Sequence, residues 1–191
     1  MNNEYFVIDR AGNNSHPLLE WDERSIDFNR GVPVANGRTV RLKLGDPVPR
    51  APVMVDYHSL PDPVVSAKIR DVLAALRLHK VQLIPANVKA KDKVHDYTLV
   101  HIYNEIAAVD RVASDADYSP MGSLLDVRRL VLSVAVLSRI PLAERLVFIL
   151  AESTSTELFH QSVRDAVMAT NPVGVRFHPI ASWNSNSSFA K

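Results

Sequence analysis

Residues 146–150, Leu-Val-Phe-Ile-Leu, form a wholly apolar run of only five residues. That is too short for a typical helix, and the absence of any polar alternation reads as a central strand covered on both faces. Two amphipathic stretches are available as covers. After Asp62 as N-cap and Pro63 at the first helical position, apolar residues fall at Val65, Ile69, Val72, Leu73 and Leu76, with Lys68, Arg70, Asp71 and Arg77 opposite. A second helix is expected after Ser155 or Thr156, carrying Phe159, Val163, Ala166 and Val167 and ending near Asn171-Pro172.

The remaining apolar pieces are short and punctuated by turn residues. Expected strands are residues 5–8, 39–44 after the hairpin signal Asn36-Gly37, 53–56, 81–84 stopped by Pro85, 97–103, 130–134, and 175–178 where Val175 and Phe177 alternate with Arg176 and His178. Residues 106–109 are read as a continuation after a kink, and 113–123 as a loop. Strands outnumber helices without regular interleaving. The fold class is therefore α+β, a mixed and largely antiparallel sheet packed by two main helices. Residues 1–52 are expected to form a turn-rich N-terminal β segment packed on the main domain, 53–182 that domain, and 183–191 a flexible tail.

Composition narrows the function classes. Hydrophobic residues make up 47 % of the 191-residue chain, enough to build a core without a metal or disulfide. The 22 basic and 21 acidic side chains leave a net charge of +1, which argues against a whole-domain field for nucleic acid or an anionic membrane. There is no cysteine, so disulfides, thiolate nucleophiles and cysteine metal sites are excluded. The opening MNNEYFVIDR has no basic and apolar leader pattern, and no run approaches the ~20 apolar residues of a membrane span. A cytoplasmic location is expected.

A search for chemistry finds no assembled motif. Neither GxxxxGK[ST] nor GxGxxG occurs. His95 and His101 share a strand face but lie about 20 Å apart if extended, too far for one zinc ion. No metal or cofactor is expected. His58-Ser59 and Glu152-Ser153 lack a nucleophile elbow; Ser59 reads as a turn or cap residue. Glu20, Asp22 and Glu23 around Trp21 read as a solvated loop. Lys89, Lys91 and Lys93 alternate along an expected extended segment and could face phosphates or an acidic protein, or simply guard an exposed edge.

The pattern as a whole resembles a known family. It comprises Trp21 followed by Phe28-x-x-Gly31-x-Pro33, then Val65-Ser66-x-Lys68 and Val81-Gln82-x-Ile84-Pro85. Tyr97-x-Leu99-Val100, Ala108-Val109-Asp110, Ser114 and the ending Gly174-Val175-x-Phe177-x-Pro179 complete it, over about residues 20–180. In order and spacing these pieces are similar to the bacterial immunity proteins numbered eleven in the polymorphic-toxin classification. One departure is His101, where the family pattern leads one to expect asparagine.

The resemblance implies a non-enzymatic protein that neutralises a cognate toxin, a nuclease as first expectation, by stoichiometric binding in the cytosol. Tight inhibition needs an interface of about 1,600 Å² with a few aromatic or arginine anchors. Trp21, Tyr57, Tyr118, Met121, Arg128 and Arg129 are the candidate partner-binding residues, because these types dominate interface cores. Two rival readings stand beside it. One is a small hydrolase whose site assembles from Ser59, His101 and Asp110. The other is an assembly subunit that forms a homo-oligomer through an exposed strand edge.

Overall fold

The computed structural model describes residues 2–24, 28, 31–35 and 37–187. The apolar run becomes strand β11 (Val147–Leu150), all four residues buried. It lies between β12 (Ser153–His160), which it meets antiparallel, and β8 (Glu105–Ile106), which it meets parallel. The sheet continues through β1 (Tyr5–Arg10) to β13 (Val175–Pro179), in the order β13-β1-β12-β11-β8. Side chains alternate across it. Phe148 and Leu150 enter one core with Tyr5, Val7 and Leu158, whereas Val147 and Ile149 enter a second with Ile8 and Phe159. Two covered faces explain why no polar residue interrupts the run.

A second, six-stranded sheet has the order β2-β3-β6-β7-β5-β4. Its strands are β2 (Leu18–Trp21), β3 (Val40–Gly45), β4 (Tyr57–His58), β5 (Val64–Val65), β6 (Val81–Ala90) and β7 (Lys93–Ile102). On one face Val40, Leu42, Ile84, Ala86, Val88 and Leu99 form a third core. On the other, Val100 and Ile102 join the second core, where helix α1 (Ala67–Ala75) brings Ile69 and Leu73 and helix α3 (Gln161–Met168) brings Val163 and Val167. The helices touch each other and bridge the two sheets. The third helix, α2 (Val134–Leu137), is a single turn, and the last pair is β9 (Asp115–Tyr118) with β10 (Leu124–Arg129). Mixed sheets with few helices make this an α+β fold. No helix among the described residues is long and apolar enough to cross a membrane.

Several boundaries differ from the sequence expectations, each for a tertiary reason. Val64 and Val65 are drawn into the sheet as β5, against Leu99 and Thr98, so α1 begins after Ser66 rather than after Asp62. Residues 53–56 are irregular, and the short β4 follows them. Strand β6 runs straight through Pro85, which sits one residue before pairing with β3 begins at Ala86. A proline there has a laddered neighbour on one side only, where its missing donor is tolerated. Phe159 belongs to β12, and α3 starts later, capped by His160, whose Nδ1 accepts from the Ser162 amide at 3.2 Å. Residues 115–118 of the expected loop form β9, while the expected strand at 130–134 reduces to one bridge, Val109 with Leu132, ahead of α2.

Strand β3 pairs antiparallel with β2 and parallel with β6; the hairpin signal Asn36-Gly37 includes Asn36, which lies outside the described residues. Strand β1 lies between β13 and β12, and β3 between β2 and β6, so residues 1–52 supply interior strands of both large sheets. At the other end, the Ser185 amide donates to the Val127 carbonyl (2.9 Å) and its hydroxyl accepts from the Val127 amide (2.8 Å), which ties residues 184–187 to β10.

Candidate functional site

Four of the six candidate partner-binding residues, Tyr118, Met121, Arg128 and Arg129, come together on the β9–β10 hairpin. Its base is fixed from several directions. Ser114 Oγ donates to the Val131 carbonyl (3.2 Å) and accepts from the Val131 amide (3.0 Å), and the Asp110 carboxylate accepts from the Val112 and Ala113 amides (3.1 and 3.0 Å). The Leu124 amide donates to the Glu152 carbonyl at 2.7 Å. Ala116, Tyr118, Leu124 and Val127 rest on the first core.

The tip is just as constrained. The Ser119 amide donates to the Ser123 carbonyl, the Gly122 amide to the Ser119 carbonyl, and the Ser123 amide to Ser119 Oγ, at 2.8, 2.9 and 3.0 Å. Arg111 clamps this turn from outside. Its guanidinium sits 4.8 Å over the Tyr118 ring and donates to the Gly122 carbonyl at 2.9 Å. On the clamped turn Met121 is 94 % exposed, with Leu125 at 67 % on β10 and Val112 at 98 % on the approach to β9. Apolar side chains grouped on an ordered hairpin are the kind of surface a partner covers, since little ordering entropy remains to be lost on binding.

The polar side of the hairpin is also ordered. Arg128 reaches Asp115 (2.8 Å), Asp117 (3.1 Å) and Asp126 (3.4 Å). The hydrogen bond from Arg128 lowers the Asp117 carboxyl below its ordinary range, and the same contacts raise Arg128 further. Exposed pairs like these add little to stability, but they hold the guanidinium in one orientation. Arg129 donates to the Ala113 carbonyl at 2.8 Å.

Trp21 and Tyr57 lie elsewhere. Trp21 stacks on Phe28 at 4.7 Å beside the third core. Tyr57 is 1 % exposed within the second core, so its surface-anchor role is corrected to a packing role: β4 turns its ring inward. Sequence reasoning missed Arg111, Val112 and Leu125. A cation seven residues before Tyr118 carries no local signal; only the folded turn joins them.

The hydrolase residues are not assembled. His101 Nε2 donates to the Val32 carbonyl at 2.8 Å, with its ring stacked on Tyr103 and edge-on to Phe28. Asp110 is occupied as described, and neither residue is hydrogen-bonded to Ser59. Among the described residues no group of three or more histidine, aspartate or glutamate side chains is placed to hold a metal ion. The three lysines do not share one strand face: Lys89 is on β6, Lys93 on β7, and Lys91 in the turn between, at φ +54°.

Many motif residues instead tie the fold together. Gln82 accepts from the Val34 amide (2.7 Å) and donates to the Val34 carbonyl (2.9 Å), so with His101 it straps residues 32–34 over the third core. Asp56 accepts from Ser66 Oγ (2.7 Å), Lys68 Nζ (2.9 Å) and the Val173 amide (2.8 Å). Burial acts to raise this carboxyl, and the hydrogen bonds outweigh it, leaving Asp56 below its ordinary value. A family model described as Immunity protein family (Imm11) matches residues 23–182. No curated protein matches the chain.

Proposed function

The chain belongs to the Imm11 immunity protein family, and from that premise we propose that it neutralises a cognate bacterial toxin by binding it stoichiometrically through the β9–β10 hairpin. The toxin's activity, a nuclease as first expectation, rests on the family resemblance. The observation that carries the docking surface is Met121, an almost fully exposed apolar side chain on a turn held by Arg111 and the Ser119 hydrogen bonds. Tyr118 supplies a ring held between the first core and Arg111, and Arg128 and Arg129 supply oriented donors on β10. This combination of aromatic, methionine and arginine is what interface cores concentrate.

The test is co-expression with the product of the adjacent upstream gene. Rescue of growth and co-purification of a complex are expected, and continued toxicity without a complex overturns the reading. Met121→Asp places a charge where the partner's apolar surface closes. It is expected to weaken the complex on the order of 30-fold, as a hot-spot loss of about 2 kcal/mol would. The thermal unfolding midpoint stays unchanged, because the side chain is exposed. Wild-type affinity of this variant, measured by calorimetry, moves the interface off the hairpin while leaving toxin inhibition intact.

A further inference from the structure

The β9–β10 hairpin has one covered edge and one open edge. On the β10 side, Val127 turns its carbonyl and amide outward to Ser185 (2.9 and 2.8 Å), and the Leu124 amide goes outward to the Glu152 carbonyl (2.7 Å). Residues directly opposite in an antiparallel pair either exchange both backbone hydrogen bonds or both turn away from each other. Val127 stands opposite Ala116 and Leu124 opposite Tyr118, so Ala116 and Tyr118 turn their N–H and C=O groups to the far side of β9. No strand pairs with β9 there, and no hydrogen bond reaches those four groups among the described residues. What completes such an edge is another extended backbone.

Charge decides whose backbone fits. Ala116 and Tyr118 rest on the first core, and alternation therefore puts Asp115 and Asp117 on the outward face, where both are exposed. On an added strand, the residues opposite these two form the close, non-hydrogen-bonded pairs, so their side chains meet the carboxylates. The neighbouring cations are already engaged. Arg128 is shared among Asp115, Asp117 and Asp126, Arg129 is turned to the Ala113 carbonyl, and Arg111 lies over the Tyr118 ring and reaches the Gly122 carbonyl. Asp110 is turned to the Val112 and Ala113 amides. One guanidinium among three carboxylates leaves this face anionic. Asp115 meets Arg128 through Oδ1, and its Oδ2 has no donor among the described residues.

A second copy does not suit the edge. In a two-fold antiparallel pairing, opposed residues lie on the same sheet face. Registers centred on Asp115, Ala116 or Asp117 then set Asp115 against Asp115, Asp115 against Asp117, or Asp117 against Asp117, and like charges directly opposed are unfavourable. A register centred on Tyr118 brings Pro120, which has no N–H, opposite Ala116. We propose that β9 instead takes up an extended segment of the toxin as an added strand, with lysine or arginine at the two positions facing Asp115 and Asp117. This rests on the hairpin reading above and deepens it, because the added strand ends beside the Ser119–Ser123 turn that carries Met121.

The test is amide hydrogen exchange, read by NMR on the isotope-labelled chain alone and in the complex co-purified with the adjacent upstream gene's product. In the free chain the Ala116 and Tyr118 amides exchange fast and that of Asp117, bonded within the ladder, slowly. In the complex both fast amides are expected to slow on the order of tenfold or more. Ala116→Pro removes an edge donor that the fold itself does not use, and is expected to weaken the complex on the order of tenfold. Asp115→Lys is expected to slow association on the order of tenfold at low salt, with the difference shrinking as salt rises, a signature that misfolding does not mimic. A complex in which Ala116 and Tyr118 stay fast, or which keeps wild-type affinity with both substitutions, overturns the added strand and leaves toxin binding by the hairpin standing. Failure of any complex to form overturns both. A dimer of the free chain that Ala116→Pro abolishes gives the edge to a second copy and overturns the proposal as well.

Discussion

Gly174→Ala is expected to cost about 2–5 kcal/mol of folding stability, from backbone strain of roughly 1–2 kcal/mol and overpacking of roughly 1–3 kcal/mol. The residue has φ +86°, and a Cβ there would lie 2.6 Å from Val55 Cγ2, 2.7 Å from Val55 Cβ and 3.3 Å from the Tyr57 carbonyl oxygen. None of these neighbours is the free end of a long side chain, so the chain itself must shift. It has little room to do so. The Gly174 carbonyl accepts from the Ala11 amide at 2.8 Å, and the preceding residue, Val173, accepts from the Asp56 amide (2.9 Å) and donates its own amide to the Asp56 carboxylate (2.8 Å). Three distant segments therefore meet at one residue without a side chain. At about 2–4 °C per kcal/mol for a chain of this size, the thermal midpoint should drop by roughly 10 °C. Gly12→Ala is the control: an added Cβ there meets nothing within 4 Å, and no shift is expected. If both variants melt with the wild type, the close approach at Gly174 does not constrain the fold.

What could be read in the sequence was what period and burial fix locally. The doubly buried strand at residues 146–150, the apolar face of α1 at Ile69 and Leu73, and the alternation of Val40 and Leu42 follow from side-chain spacing alone, and the structure keeps all three. Errors fell where tertiary pairing overrode local pattern. Phe159 and Val163 sit at helical spacing, yet one is in a strand and the other in the following helix, because β12 needs Leu158 and Phe159 on opposite faces. Asp62 is the expected cap, but α1 begins after Ser66, whose hydroxyl donates to Asp56 across a loop. The candidate site was half legible for the same reason. Residue type pointed to Tyr118, Met121, Arg128 and Arg129, which one hairpin gathers. Type alone could not show that Tyr57 faces inward, or that Arg111 reaches back to the Gly122 carbonyl.

Lowering the pH from neutral to about 4 is expected to remove about 3 kcal/mol of stability through His58. This side chain is 2 % exposed, with Nδ1 donating to the Pro17 carbonyl at 3.1 Å and Nε2 without a hydrogen-bond partner among the described residues. Its ring meets Tyr97 edge-on at 5.5 Å. Burial lowers the His58 pKa from 6.5 to about 4; the Pro17 carbonyl acts in the opposite direction, while charge on His16 and Arg10 lowers it further. Between those two values the unfolded chain binds a proton that the folded chain does not, so stability rises with pH across the window. The contribution is complete above about 6.5 and is lost progressively as the pH falls towards 4. A shift of this size corresponds to about 3 kcal/mol. Burial also lowers His160 and His178, which adds to the same slope. Asp56 and Asp117 are held below 3.8, so their loss belongs to more acid conditions. His58→Asn offers a donor for the Pro17 carbonyl but cannot take up the proton. Denaturant unfolding at a series of pH values should therefore show the wild type losing about 3 kcal/mol relative to the variant between neutral pH and pH 4, whatever the variant's absolute stability. A difference between them that stays constant with pH would mean that His58 is not the group being held neutral.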